Sequence, residues 1–278
     1  MAQRADGKNG IRFRDENDLA YGIKHVNNKP RVSSMPYLYD IAEGNVSGHT
    51  VWSKIGFTPT MTTVESDLWS RAGVINFPAA AMRMSVVSSD NTQDTATGTG
   101  ARQVTIGYLD NNYIERSETV TLTGTTQADT VATNILRVNS FRVTAAGGTG
   151  RPLGNITLSD NATRAIVYSY ITAGFTRARN TAFTVPAGKT LYVVSWTVGY
   201  GYSTNQTHYA RLYTRATQNN DIWTPGIFYP FTEVICANTS QFVEFLIPTK
   251  LVSKVDLKVS GISTFAGIAS SSLRGWIE

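Results

Sequence analysis

The first residues in this chain whose types and spacing invite a chemical reading are Thr97 to Arg102, TGTGAR, a glycine pattern of the sort that cradles phosphate. A phosphate loop needs GxxxxGK[ST] between a strand and a helix, so that backbone N–H groups and a helix N-terminus face the anion. Here no Lys-Ser/Thr follows, and Gln103 stands where a dinucleotide fingerprint places its third glycine. The next residues, QVTIGYL, alternate as a strand does. TGTGAR therefore reads as a loop of small polar residues entering a strand, with Gly98 and Gly100 present for backbone freedom.

Other catalytic residue types are sparse. His25, His49 and His208 are the only imidazoles, none is paired at i,i+4, and none has a metal-like partner spacing. Cys236 is the only cysteine, which excludes an intrachain disulfide, a thiolate zinc site and a CxxC redox centre; it reads as a small buried strand residue. Asp15/Glu16 and Glu115/Glu118 are carboxylate pairs, but they read as strand-end and turn charges, and no GxSxG elbow occurs. No enzymatic activity, cofactor or metal is expected, although DNN at Asp110 to Asn112 is where calcium would be most at home.

One segment, from Tyr200 to Tyr229, is dense in rings beside Asn, Gln and Arg: Tyr200, Tyr202, Tyr209, Tyr213, Trp223, Phe228 and Tyr229. Such a composition stacks on sugar rings, fills a subunit contact or lines a core. The expectation is an oligomer interface, with a homotrimer as the assembly, or a contact to a receptor such as a host surface glycan.

The elements that must position these residues are strands. The 278 residues are poor in charge (16%) and rich in Thr, Ser, Asn, Gly and Tyr, which suits strands and tight turns. Val104, Ile106 and Tyr108 fall on one face of ARQVTIGYL, and Val120/Leu122 and Ile156/Leu158 repeat the device. In AFTVPAGKTLYVVSWTVGYGY, Pro186 to Lys189 is predicted to turn a hairpin whose second strand carries Tyr192, Val194, Trp196 and Val198 on one face. Strands at 8–12-residue spacing without strand–helix alternation give an all-β expectation: two antiparallel jelly-roll-like β-sandwich domains, residues 61–165 and 166–278. Residues 1–60 lack a sustained period and read as an extended arm, with one short helix capped by Asp15 in DENDLAYGIKH. The arm holds Ile11, Phe13, Leu19, Tyr21, Tyr37, Leu38 and Tyr39, enough apolar surface to lie on a partner.

The formal charge of +5 is spread along the chain without a basic tract, so nucleic acid is not an expected partner. The start lacks an apolar leader and no segment nears the ~20 apolar residues of a membrane span, so no membrane association is expected.

Several segments resemble a family of structural proteins of tailed bacteriophage virions, common in marine and environmental phages. The residues that carry the likeness are VWSKIGFTP, LWSRAGVINFP, VVSSDNTQDTATGTGARQVTIGYLDNNYIERSETVTLTGTT, RVNSFRVTAAGGTGRPLGNITL, FTVPAGKTLYVVSWTV, KVDLKVSG and LRGWIE, running from about Gly48 onward. The resemblance implies a virion component that binds neck or tail adaptor, portal-associated or capsid proteins, and it transfers no catalytic residue. A fibre or appendage anchored by residues 1–60 is the expectation, beside a capsid decoration protein, a carbohydrate-binding module and a glycan-degrading enzyme.

Overall fold

The computed structural model describes residues 37–278 in full and, before them, only the backbone of four three-residue strands. Two compact units divide at Thr50, Met1–Thr50 and Val51–Glu278.

In the first unit, Arg12–Arg14 pairs antiparallel with Ala20–Gly22, and Lys24–Val26 with Lys29–Arg31. The segment read as an Asp15-capped helix thus contributes strands at residues 20–22 and 24–26. The side chains of Ile11, Phe13, Leu19 and Tyr21, proposed as docking residues, lie outside the described residues. A six-residue helix, Tyr37–Ala42, buries Ile41 and leaves Tyr37, Leu38 and Tyr39 exposed. Gly44, at φ +77°, ends it: its N–H reaches the Ile41 carbonyl and the Asn45 N–H that of Asp40.

The second unit is all β and contains two antiparallel sandwiches. One packs a four-stranded sheet (order Ala128–Asp129, Met84–Ser88, Ile156–Asp160, Val167–Ile171) on a three-stranded one (Arg137–Ala146, Ala101–Leu109, Glu115–Thr121). Its core is the inward set that alternation predicts: Val104, Ile106, Tyr108, Val120, Leu122, Ile156 and Leu158 are all buried, with Met84, Val86 and Phe141. The other packs Phe183–Thr184, Asp256–Ser263, Ala210–Ala216 and Tyr229–Cys236, with Ser66–Asp67 beside Asp256–Ser263, on Thr239–Leu251, Leu191–Gly201, Gly267–Ile277 and Thr50–Met61. Its core is built on Trp196, Leu191, Val193, Leu212, Leu257 and Leu273, and it takes Trp52, Met61 and Leu68 from the chain's earlier part.

The divisions differ from those expected. Residues 50–61 are a sheet strand and not the end of an arm. Val167–Ile171 pairs with Ile156–Asp160, so residue 166 falls inside the first sandwich and opens no second domain. Residues 82–178 are inserted between strands of the other sandwich, which begins at Thr50 and resumes at Phe183. Nor is Pro186 to Lys189 a hairpin: Phe183–Thr184 pairs with Asp256–Ser263, whereas Leu191–Gly201 lies in the opposing sheet. The turn still closes, Lys189 N–H to Pro186 carbonyl with Gly188 at φ +72°, but it carries the chain across the core. Along the following strand, Leu191 and Val193 are buried and then Trp196, Val198 and Tyr200. A bulge at Val194 inserts one residue and exchanges the faces, so Tyr192 and Val194 do not share Trp196's side.

The sandwiches meet at the Arg137–Ala146 strand. Arg137 donates to both carboxylate oxygens of Asp256 (Nε–Oδ1 2.8 Å, Nη2–Oδ2 3.0 Å), and its Nη1 reaches the Pro78 carbonyl at 2.7 Å. Thr184 Oγ1 donates to the same Asp256 carboxylate at 2.6 Å. Two residues on, the Asn139 amide pairs with both backbone groups of Thr184, each at 2.8 Å. Removing one partner strands a buried charge, so Arg137→Ala is expected to cost about 3–5 kcal/mol, read as a lowered urea midpoint. Replacing the pair together, Arg137→Met with Asp256→Leu, is expected to cost clearly less than the single change.

Candidate functional site

The TGTGAR loop does enclose an anion, and the anion is the protein's own. The buried Asp94 carboxylate accepts the backbone N–H groups of Ala101 (2.8 Å), Leu153 (3.0 Å) and Gly154 (2.8 Å) and the Ser88 hydroxyl (2.7 Å). The glycines answer to close approach: a Cβ on Gly100 would lie 2.1 Å from Asp94 Oδ1, and one on Gly98 2.0 Å from the Gln93 carbonyl oxygen. The donors that a phosphate would need are already in use.

Other carboxylates act in the same way. Glu118, weighed above as an acid or base, accepts the N–H groups of Val131 and Ala132. Asp110 accepts those of Asn112 and Ile114 and pairs with Arg116, which ties up the turn offered for calcium. Asp160 takes the hydroxyl and N–H of Thr163 and the N–H groups of Arg164 and Ile166. These bonds, the Thr163 hydroxyl foremost, hold its pKa down to about 2.

Among the described residues, no three His, Cys, Asp or Glu side chains come together as a metal site. His49 is bonded to the Tyr37 hydroxyl at 2.9 Å, and His208 stacks on Phe265 with centroids 4.5 Å apart. Cys236 is buried, as read from the sequence, and burial raises its thiol pKa. No helix among the described residues is long and apolar enough to cross a membrane.

The seven rings of the Tyr200 to Tyr229 segment do not form one surface. Tyr200 is buried, its hydroxyl on the Phe265 carbonyl at 2.5 Å, and its ring contacts Tyr202, which in turn meets His208. Trp223 packs edge-on to Tyr113 beside Lys254, and Phe228 packs on Phe77 beneath Lys258. Tyr213 lies under Arg215, Tyr229 is half-buried on its strand, and Tyr209 is exposed. Most of these rings serve the core or the junction with the first sandwich.

Large apolar side chains stand open elsewhere, on the consecutive strands Tyr229–Cys236 and Thr239–Leu251, which lie in opposing sheets. Each lies at an edge of its sheet. Thr249 pairs with Val193 and Glu244 with Ser195, so four residues, Phe245 to Pro248, oppose the single Val194 and bow out of the ladder. Leu246 is 97% exposed and Ile247 85%, with Phe242 (65%) on the same strand and Ile235 (57%) on the strand before it. The sequence signal was there: QFVEFLIP is apolar at both parities, with Val243 and Phe245 packed against the core and Phe242, Leu246 and Ile247 left outside.

No protein-family model matches the chain, and no curated protein matches it. Among solved structures it is similar to infectious bursal disease virus of the Gt strain, at 11% identity over 87% of this chain and 76% of that one, with a TM-score of 0.14. It is likewise similar to the VP2 subviral particle of the same virus, at 9% identity over 87% and 81% of the chains, with a TM-score of 0.15. At such TM-scores neither likeness assigns a family.

Asp94→Ala leaves three backbone donors and a buried hydroxyl without their acceptor, and is expected to lower unfolding free energy by about 3 kcal/mol or more. Gly100→Ala is expected to destabilise as well, by chemical denaturation of each variant. Asp160 sets an acid limit: its folded pKa lies below the ordinary carboxylate value, so its contribution is complete above about pH 4 and lost as pH falls through about 2. Asp160→Asn should flatten that part of the stability–pH curve.

Proposed function

We propose that this chain is a non-enzymatic structural protein of a tailed-phage virion, a fibre or appendage that self-associates through the two edge strands between Tyr229 and Leu251 and is anchored through its N-terminal unit. The observation that carries the reading is the bulge that leaves Leu246 and Ile247 in solvent on an edge strand that also exposes Phe242. Exposed apolar side chains on edge strands are a liability in a lone subunit and an asset in an assembly. The all-β body and the resemblance described above support the virion setting. The carboxylates committed to backbone donors support a structural role, since groups engaged in holding loops are not available for acid–base work. Tyr37, Leu38 and Tyr39, exposed on one short helix, supply apolar groups for anchoring.

The assembly is expected to be a homotrimer that sediments as such at micromolar concentration; a monomer there would overturn the self-association. Leu246→Ser with Ile247→Ser removes two side chains worth about 1.5–3 kcal/mol each when buried, so association weaker by about a hundredfold or more with unchanged far-UV circular dichroism is expected. Deleting residues 1–50 is expected to leave the β-body folded and to abolish incorporation into particles, scored by immunoblot of purified virions. Copy number on the particle separates an appendage, in tens, from a shell decoration, in hundreds.

A further inference from the structure

A cleft of about 200 Å³ opens between the strands Thr50–Met61 and Arg137–Ala146 and the segment that returns the chain to the second sandwich. Its charged lining is all cationic: Lys54 from the first strand, Arg142 from the second and Arg177 from the return, with Ser53, Asn139, Ser140 and Asn180 as the polar remainder. No carboxylate and no histidine lines it. Arg142 and Arg177 are direct partners in an antiparallel bridge, which sets their Cβ atoms about 5 Å apart on one face. Like charges so placed repel, and neither guanidinium forms an ion pair among the described residues. Lys54 is held in place by a bond from its ammonium to the Asn139 carbonyl and by the Phe183 ring, 5.9 Å from Nζ. The space is several times the ~30 Å³ share of one water, enough for a tetrahedral oxyanion with part of its hydration shell.

We propose that this cleft is an oxyanion site of the sulfate class, in which Arg142 and Arg177 grip one ligand between their forks and Lys54 completes the charge from the opposite strand. Two adjacent guanidiniums bind such an anion bidentately, and the ligand turns their mutual repulsion into a shared attraction. The oxyanion is free in solution or is an ester group on a polysaccharide, and the chemistry of recognition is the same. Burial lowers the Lys54 pKa to about 7, so the site gains its third charge in the range where the two arginines are already cationic. The sign follows: protonation below pH 7 strengthens anion binding, and loss of the proton above it weakens binding.

The test is calorimetric titration of the full-length protein with sodium sulfate, at ionic strength held constant with chloride. Sulfate is chosen because its charge does not change between pH 6 and 9. Saturable binding is expected, about tenfold tighter at pH 6 than at pH 9 from the one charge gained. Arg142→Gln with Arg177→Gln is expected to reduce affinity about tenfold or more while leaving the fold intact by circular dichroism, since relief of like-charge repulsion does not harm the bridge. Lys54→Met is expected to keep the arginine-dependent binding and to lose the pH dependence. Dextran sulfate distinguishes the source: binding tighter than sulfate per ester group, through the same two arginines, identifies a polymer-borne ligand, whereas sulfate binding alone identifies a free one. Absence of saturable sulfate binding, or binding that the double arginine variant retains in full, overturns the proposal.

Discussion

The geometry of the β-body depends on the Arg137–Asp256 pair. Each residue belongs to a different sandwich, and the two are bonded through two guanidinium nitrogens, Nε and Nη2, and both carboxylate oxygens. Burying two charges is costly, so a pair of this kind adds little net stability. What it contributes is selection: an apolar seam tolerates sliding, whereas a bidentate fork with a third donor from Thr184 and a carbonyl from Pro78 is satisfied in one position only. The neighbouring Asn139–Thr184 pairing repeats the constraint one pleat along the strand. Lys54 then reads the same strand through the Asn139 carbonyl, so the width of the cationic cleft is set by the seam that these bonds hold.

A second regularity runs through the loops. Few carboxylates stand in this charge-poor chain, and Asp94, Asp110, Glu118 and Asp160 each collect backbone N–H groups that no strand partner reaches. A long connection can be buried or sharply bent only if its amides find acceptors. Here one side chain per loop supplies them, which keeps the connections rigid without helices.

Much of the body was legible in the sequence, because alternation reports which side chains point inward. Val104, Ile106, Leu122, Ile156 and Leu158 are buried as their spacing requires. Alternation does not report which strands pair. Strand Thr50–Met61 belongs with Gly267–Ile277, over two hundred residues later, and nothing local in either segment encodes that choice. Single-residue insertions are equally silent: Val194 looks like one more apolar position, yet it reverses the faces of its strand. The glycines at 98 and 100 were recognised as conformational necessities, but the carboxylate they make room for lies four residues before the first of them and showed no motif of its own. The ring-rich segment was conspicuous by composition, which does not separate rings that face a core from rings that face a partner. The exposed edge strand was signalled instead by apolar residues at both parities of QFVEFLIP.

The insertion of one sandwich within the other has a bearing on how the protein is made. A chain leaving the ribosome at about 5–20 residues per second presents Thr50–Met61 first, and then Met82 to Ala178, a sandwich with its own apolar core. The sheet neighbour of that first strand, Gly267–Ile277, follows more than two hundred residues later, so the strand must wait unpaired while those residues emerge. Long-range closure of this kind is slow. It also acts as proofreading: a product that stops short of Gly267 leaves Thr50–Met61 an open edge and its Trp52 without a finished core. Only translation through Ile277 therefore yields a subunit in which the sheet of Thr50–Met61 is complete.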